Sequence, residues 1–178
     1  EIRLSLVGSE MCIRDRVKLA QLAHGNHPAL PFLAPALLRQ LQELPGIEDG
    51  LSLTERLSLR YIAEAGPVPF GRVFAELMAK REPLPFLGDM MFHALLRPLI
   101  DGPTPLLIET ATERDWPRRE LALTPLAHQV LGGEAYWLDH AGHERWVGGV
   151  CLKPGQPHWA LAHDCLLYTS DAADERSS

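Results

Sequence analysis

The chain has 178 residues, is 46% hydrophobic, and carries 17 basic against 23 acidic residues for a net charge of −6. It is too apolar for a disordered protein, is sized for one domain with a small appendage, and is too acidic to show the electrostatic footprint of a phosphate-backbone binder. No apolar run approaches the roughly 18 residues of a membrane span, so no membrane partner is expected.

In chain order, the first segment is set aside together with the last. Residues 1–16 hold no lasting period of 3.6 or 2 residues, and 171–178 are short and polar. Leu4–Gly8 is too short, and too soon followed by charge, to be the apolar stretch of a secretory signal. Cys165–Ser170 can be written TGT-CTC-TTA-TAC-ACA-TCT, and the complementary strand of that DNA encodes Met11–Arg14 and continues into Asp15. Natural termini have no reason to be an inverted repeat at DNA level. The words are similar to translated transposase-adapter sequence from DNA library preparation. Residues 1–16 and 165–178 are therefore read as artefactual tails, and the native chain is expected to extend past both. The tails hold four basic and six acidic residues, leaving 13 and 17, or −4, together with a single cysteine, Cys151. One cysteine allows no intramolecular disulfide framework, and a cytoplasmic location is the expectation.

Residues 17–50 read as a helical lead segment. Leu33, Ala36, Leu37, Leu41 and Leu44 recur at three- and four-residue steps, with Pro31 and Pro35 near the start and Pro45-Gly46 at the stop. Ser52-Leu-Thr-Glu55 has the form of a capping box, and Leu53, Leu57, Tyr61 and Ile62 supply the buried stripe of the helix it opens. Gly66-Pro-Val-Pro69 breaks that helix. Phe70, Val73, Phe74, Leu77 and Met78 mark the next, which Arg81–Pro85 stops. Asp89 reads as the N-cap of a further helix with core residues Phe92, Leu95, Leu96 and Leu99, and Pro98 is expected to kink or shorten its last turn. The period then changes. Leu106–Ile108 and Leu121–Leu123 read as short strands around a polar loop, Thr110–Arg119, and Thr124-Pro125 caps a last helix that Gly132-Gly133 ends. Beyond it, Arg145–Leu152 reads as one strand with a Gly-Gly bulge, and Trp137, Trp146 and Trp159 are expected to pack this tail onto the helices. No internal repeat or low-complexity stretch is apparent.

Three helices, a hairpin with a long loop, then a helix is the order of a winged helix. The expected class is α+β, mainly helical. A winged-helix-like three-helix core with a hairpin wing occupies 51–133, and a small β and aromatic extension occupies 134–164. A mostly helical bundle is the alternative. Four phrases together resemble one known family: Leu51-Ser-Leu-Thr-Glu-Arg56, Pro85-Phe-Leu-Gly-Asp89 with Phe92, Pro105-Leu-Leu107 and Arg145-Trp-Val-Gly-Gly149. They resemble the C-terminal half of bacterial proteins classed under domain of unknown function 1835, over most of Leu30–Trp159. The resemblance implies a separate N-terminal domain where catalytic or ligand-binding residues would lie, and it brings no established activity.

A winged helix invites a nucleic-acid reading, in which the helix from Asp89 enters the major groove and the wing touches the backbone. Its exposed side is expected to carry Met90, His93, Ala94 and Arg97, although Met90-Met91-Phe92 as a run reads as core. The candidate contacts are Arg97, Arg114, Trp116, Arg118 and Arg119. Glu109, Glu113, Asp115 and Glu120 are interleaved with these cations, so a solvated hairpin with internal ion pairs is the preferred reading. His24/His27 and His140/His143 have H-x-x-H spacing, which would suit zinc, but no Cys-x-x-Cys accompanies them and solvent-facing histidines are expected. Cys151 sits in an apolar strand context, where a thiol is usually buried and inert. No nucleophile elbow and no phosphate loop occurs, so no catalytic, cofactor or metal residue is assigned. The expected function is an interaction or scaffold module with a protein or intramolecular domain partner. The alternatives are a regulator-like DNA binder and an accessory part of an enzyme whose active site lies elsewhere.

Overall fold

The structure is a computed structural model and describes residues 18–156 and 158–162 and the strand at 167–169. Residues 18–23 are helical and α1 follows at Leu33–Leu41. α2, Leu53–Ala65, opens on the expected capping box: Glu55 N–H donates to Ser52 Oγ, and Ser52 N–H donates to the Glu55 carboxylate at 2.7 Å. β1, Val68–Pro69, lies within the stretch expected only to break a helix. Proline is tolerated there because β1 is an edge strand, where a missing N–H costs no ladder bond. α3, Phe70–Glu76, passes into a π-helical turn, Leu77–Arg81, which keeps Leu77 in the core and sets the Arg81 guanidinium over the Tyr61 ring.

α4 runs Asp89–Asp101. Its N-cap is Gly88, not Asp89. The Asp89 carboxylate instead accepts from Met90 N–H in the first turn, where negative charge suits the helix dipole. Pro98 does not end the helix; three more residues follow. The proline removes only the N–H that would bond the carbonyl of Ala94, a residue open to water. β2, Leu107–Thr110, and β3, Glu120–Leu123, form the hairpin, and β3 also pairs β1, giving an antiparallel sheet in the order β1-β3-β2. α5, Pro125–Leu131, is capped by Thr124, whose hydroxyl accepts from Ala127 N–H. The main core lies between α2–α5 and this sheet and includes Phe70, Phe92, Leu96 and Leu99, all fully buried.

α6, Trp137–His140, is followed by β4, Arg145–Val147, and β5, Val150–Leu152. Arg145–Leu152 is therefore a hairpin rather than one strand. Gly148 and Gly149 take φ of 50° and 81°, the left-handed pair that a two-residue turn needs. β6, Trp159–Leu161, bridges to Gly46 and pairs β7, Leu167–Thr169. β7 lies within 165–178; the rest of that stretch, including 171–178, which reads as short and polar, lies outside the described residues, as does 1–16. Trp137 is buried and Trp159 packs on a second core, but Trp146 is exposed because it points from the far face of β4. That second core joins Ala23, Leu41 and Leu44 of the lead segment to Val147 and Leu152 of the hairpin, so the lead segment and the β4–β5 hairpin pack together.

The lead segment is fastened to the rest by buried charge. Arg39 of α1 donates to both Glu82 oxygens, at 2.5 and 2.8 Å, to Glu43 at 2.7 Å and to Thr54 Oγ1 at 2.8 Å. Arg39→Ala is expected to cost about 3–5 kcal/mol in chemical denaturation, because it strands the fully buried Glu82 carboxylate. Arg39→Met combined with Glu82→Leu removes both charges and is expected to lose less.

Candidate interaction face

Arg97 of α4 and Arg119, immediately before β3, meet on Glu109 of β2. The Glu109 side chain is only 6% exposed. One carboxylate oxygen, Oε2, accepts from Arg97 Nη1 at 2.9 Å and from Arg119 Nη1 at 3.5 Å. Arg97 also bonds Asp101, one turn further along α4. The two guanidiniums thus meet two carboxylates, and the local charge sums to zero. Arg119 Nε donates to the Arg114 carbonyl at 2.8 Å and folds the loop back on itself. Arg114 is 56% exposed and lies 3.6 Å from Glu113, while Arg118 sits exposed in the 3-10 turn Trp116–Arg118.

Trp116 is not a free surface ring. It meets Phe70 edge-on at 5.3 Å and His93 at 4.7 Å, and is half-buried by them. His93 is likewise turned inward rather than exposed: its ring also lies 5.0 Å from Phe70, and its Nε2 is buried without a hydrogen-bond partner. Burial first, and then the Arg97 guanidinium, holds the His93 imidazole below its usual range. Glu109 Oε1 is a second buried atom without a partner. What α4 presents outward is apolar side chains between two carboxylates, Asp89 and Asp101, at its ends. Met90 and Ala94 are exposed as expected of that side of the helix; Met91 is exposed too, at about 60% like Met90, so of the run Met90-Met91-Phe92 only Phe92 is core.

The sequence reasoning missed Asp101, although its i+4 spacing from Arg97 on a helix was a usable signal. It also missed the depth of Glu109, for which no local signal exists. The convergence of four arginines that would have favoured DNA does not form: Arg97 and Arg119 converge, but on a carboxylate. Of the four histidines with H-x-x-H spacing, His24 is exposed, His27 is half-buried and bonds the Leu22 carbonyl at 2.7 Å, and His140 and His143 are half-buried. Among the described residues no three His, Cys, Asp or Glu come together in a group that could hold a metal ion. Cys151 is half-buried on β5, and burial followed by the Glu144 carboxylate pushes its thiol up, away from the reactive thiolate.

A small pocket of about 160 Å³ lies between the lead segment, α2 and β6, lined by Gln42, Leu53, Arg56 and Leu161 among others. Its charged group, Arg56, is engaged by both oxygens of Asp49 at 2.5 and 2.7 Å, and no nucleophile or acid–base pair lines it. No described helix is long and apolar enough to cross a membrane. No protein-family model matches the chain, and no curated protein or solved structure does either.

Glu109→Gln is expected to weaken folding by about 2 kcal/mol, because it removes the negative charge that two part-buried arginines share. Arg114→Ala is expected to leave the urea midpoint unchanged, since that side chain is exposed and bound to nothing rigid.

Proposed function

We propose that 51–133 is a winged-helix-like module of a bacterial protein of the domain of unknown function 1835 kind, and that it works by protein contact, within its own chain or with another. The helix order and the sheet order β1-β3-β2 support the winged-helix part. The contact reading rests on one observation: Glu109 and Asp101 occupy Arg97 and Arg119, the cations best placed on α4 and the hairpin. A helix that reads a major groove needs free donors aimed at base edges. This one offers two methionines, an alanine and the carboxylates Asp89 and Asp101. A cytoplasmic setting belongs to the same reading, supported by Cys151 being a free thiol.

DNA contact is the second reading, favoured only by the exposure of Arg114 and Arg118. Fluorescence anisotropy with a labelled mixed-sequence duplex at low ionic strength separates the two. The contact reading predicts no saturable binding. Binding whose affinity falls steeply with salt, and which Arg114→Ala and Arg118→Ala weaken, would overturn it.

A further inference from the structure

We propose that His93 is the trigger of an acid-sensitive latch, in which uptake of one proton releases the β2–β3 loop, residues 111–119, from α4. The latch goes beyond the contact reading and stands without it.

The loop is held at α4 by two features. The first is an aromatic cluster, with the His93 ring tilted against Trp116 of the loop and Phe70 of α3. The second is the Arg119–Glu109 contact, which at 3.5 Å is longer than the Arg97–Glu109 bond at 2.9 Å. His93 lies one helical turn before Arg97, so its imidazole belongs to the same charged group. From α4 it is faced by Arg97 and Asp101, from β2 by Glu109, and from the end of the loop by Arg119. Phe70 and Trp116 add ring faces and no charge. In the neutral state the group holds two cations and two anions, with two buried atoms left unpartnered, His93 Nε2 and Glu109 Oε1.

A proton from solvent makes His93 a third cation and turns its ring nitrogens into N–H donors. A buried N–H without an acceptor is costly, and the unpartnered acceptor in the group is Glu109 Oε1. A cation drawn to Glu109 competes with Arg119, whose contact is the weaker of the two arginine contacts. It also pulls the imidazole out of the aromatic cluster that seats Trp116. Both changes act on the loop, while the shorter Arg97 bond stays within α4 and β2.

The direction with pH follows from the lowered proton affinity of His93 in the closed form. The latch is fully closed above about pH 6.5, the ordinary histidine value, and opens as pH falls through the depressed value.

The test is proton and nitrogen NMR of the full chain from about pH 8 to about pH 5. It follows the His93 ring, the Trp116 indole and the amides of the loop. The Trp116 indole signal is expected to move with the same midpoint as His93. Loop amide exchange, corrected for its intrinsic pH dependence, is expected to speed up about tenfold for each unit separating the His93 pKa of the closed and open forms. His93→Phe keeps a ring in the aromatic cluster and removes the titration, so its Trp116 signal is expected to stay flat with pH. A Trp116 signal that stays fixed while His93 titrates, or that moves equally in His93→Phe, would overturn the latch. Should His93→Phe not fold, the two midpoints in the unaltered chain decide the matter alone.

Discussion

A buried carboxylate must be paired, and Glu109 is paired by two arginines brought from different parts of the chain. That single requirement sets the character of the face. Arg97 points across to β2 instead of outward, Arg119 closes the end of the loop, and Trp116 is carried down onto His93 and Phe70. Once the cations are committed, the outward surface of α4 is left to Met90, Met91 and Ala94 between the acidic ends Asp89 and Asp101. A flexible thioether surface is suited to adaptable protein contact and poorly suited to a phosphate backbone.

The same logic joins the two cores. The lead segment and the β4–β5 hairpin share one apolar cluster, and the helices with the three-stranded sheet share another. Charge lies between them. Arg39 reaches Glu82 and Thr54 from α1, Arg145 reaches Glu55 at 2.7 Å and the Glu43 carbonyl at 2.8 Å from β4, and Arg56 reaches Asp49. An apolar seam would tolerate sliding, whereas bidentate arginine pairs fix orientation. Glu55 contributes twice, since its carboxylate caps α2 and receives Arg145. The start of α2 is thereby tied to the far end of the chain.

The legible parts of the fold were those with local causes. The capping box at Ser52, the stripe Phe70–Val73–Leu77, the Thr124-Pro125 helix start and the two hairpin strands all follow from spacing and side-chain chemistry. The missed parts depend on distant partners. Val68–Pro69 is a strand only because β3 lies beside it, and Arg145–Leu152 bends only because two adjacent glycines accept positive φ. At the candidate face, the interleaving of acids and arginines was visible in the sequence. Which acid would be buried was not, because Glu109, Glu113 and Glu120 look alike until the sheet register sets Glu109 opposite Leu121 and under Arg97. His93 shows the same limit: a histidine on a helix does not announce that a tryptophan more than twenty residues later will cover it.

The central claim is that Glu109 holds the cations of this face, and the most direct measurement is of the arginine side chains themselves. The Nε–H groups of Arg97 and Arg119 each donate within the face, to Asp101 and to the Arg114 carbonyl. Arg60, exposed on α2, serves as the reference. In side-chain NMR at neutral pH, Arg97 and Arg119 should give resolved Nε–H signals that exchange slowly with water and persist when a DNA duplex is added, while Arg60 exchanges fast. Arg97 and Arg119 signals that exchange as fast as that of Arg60, or that shift on addition of the duplex, would contradict the account.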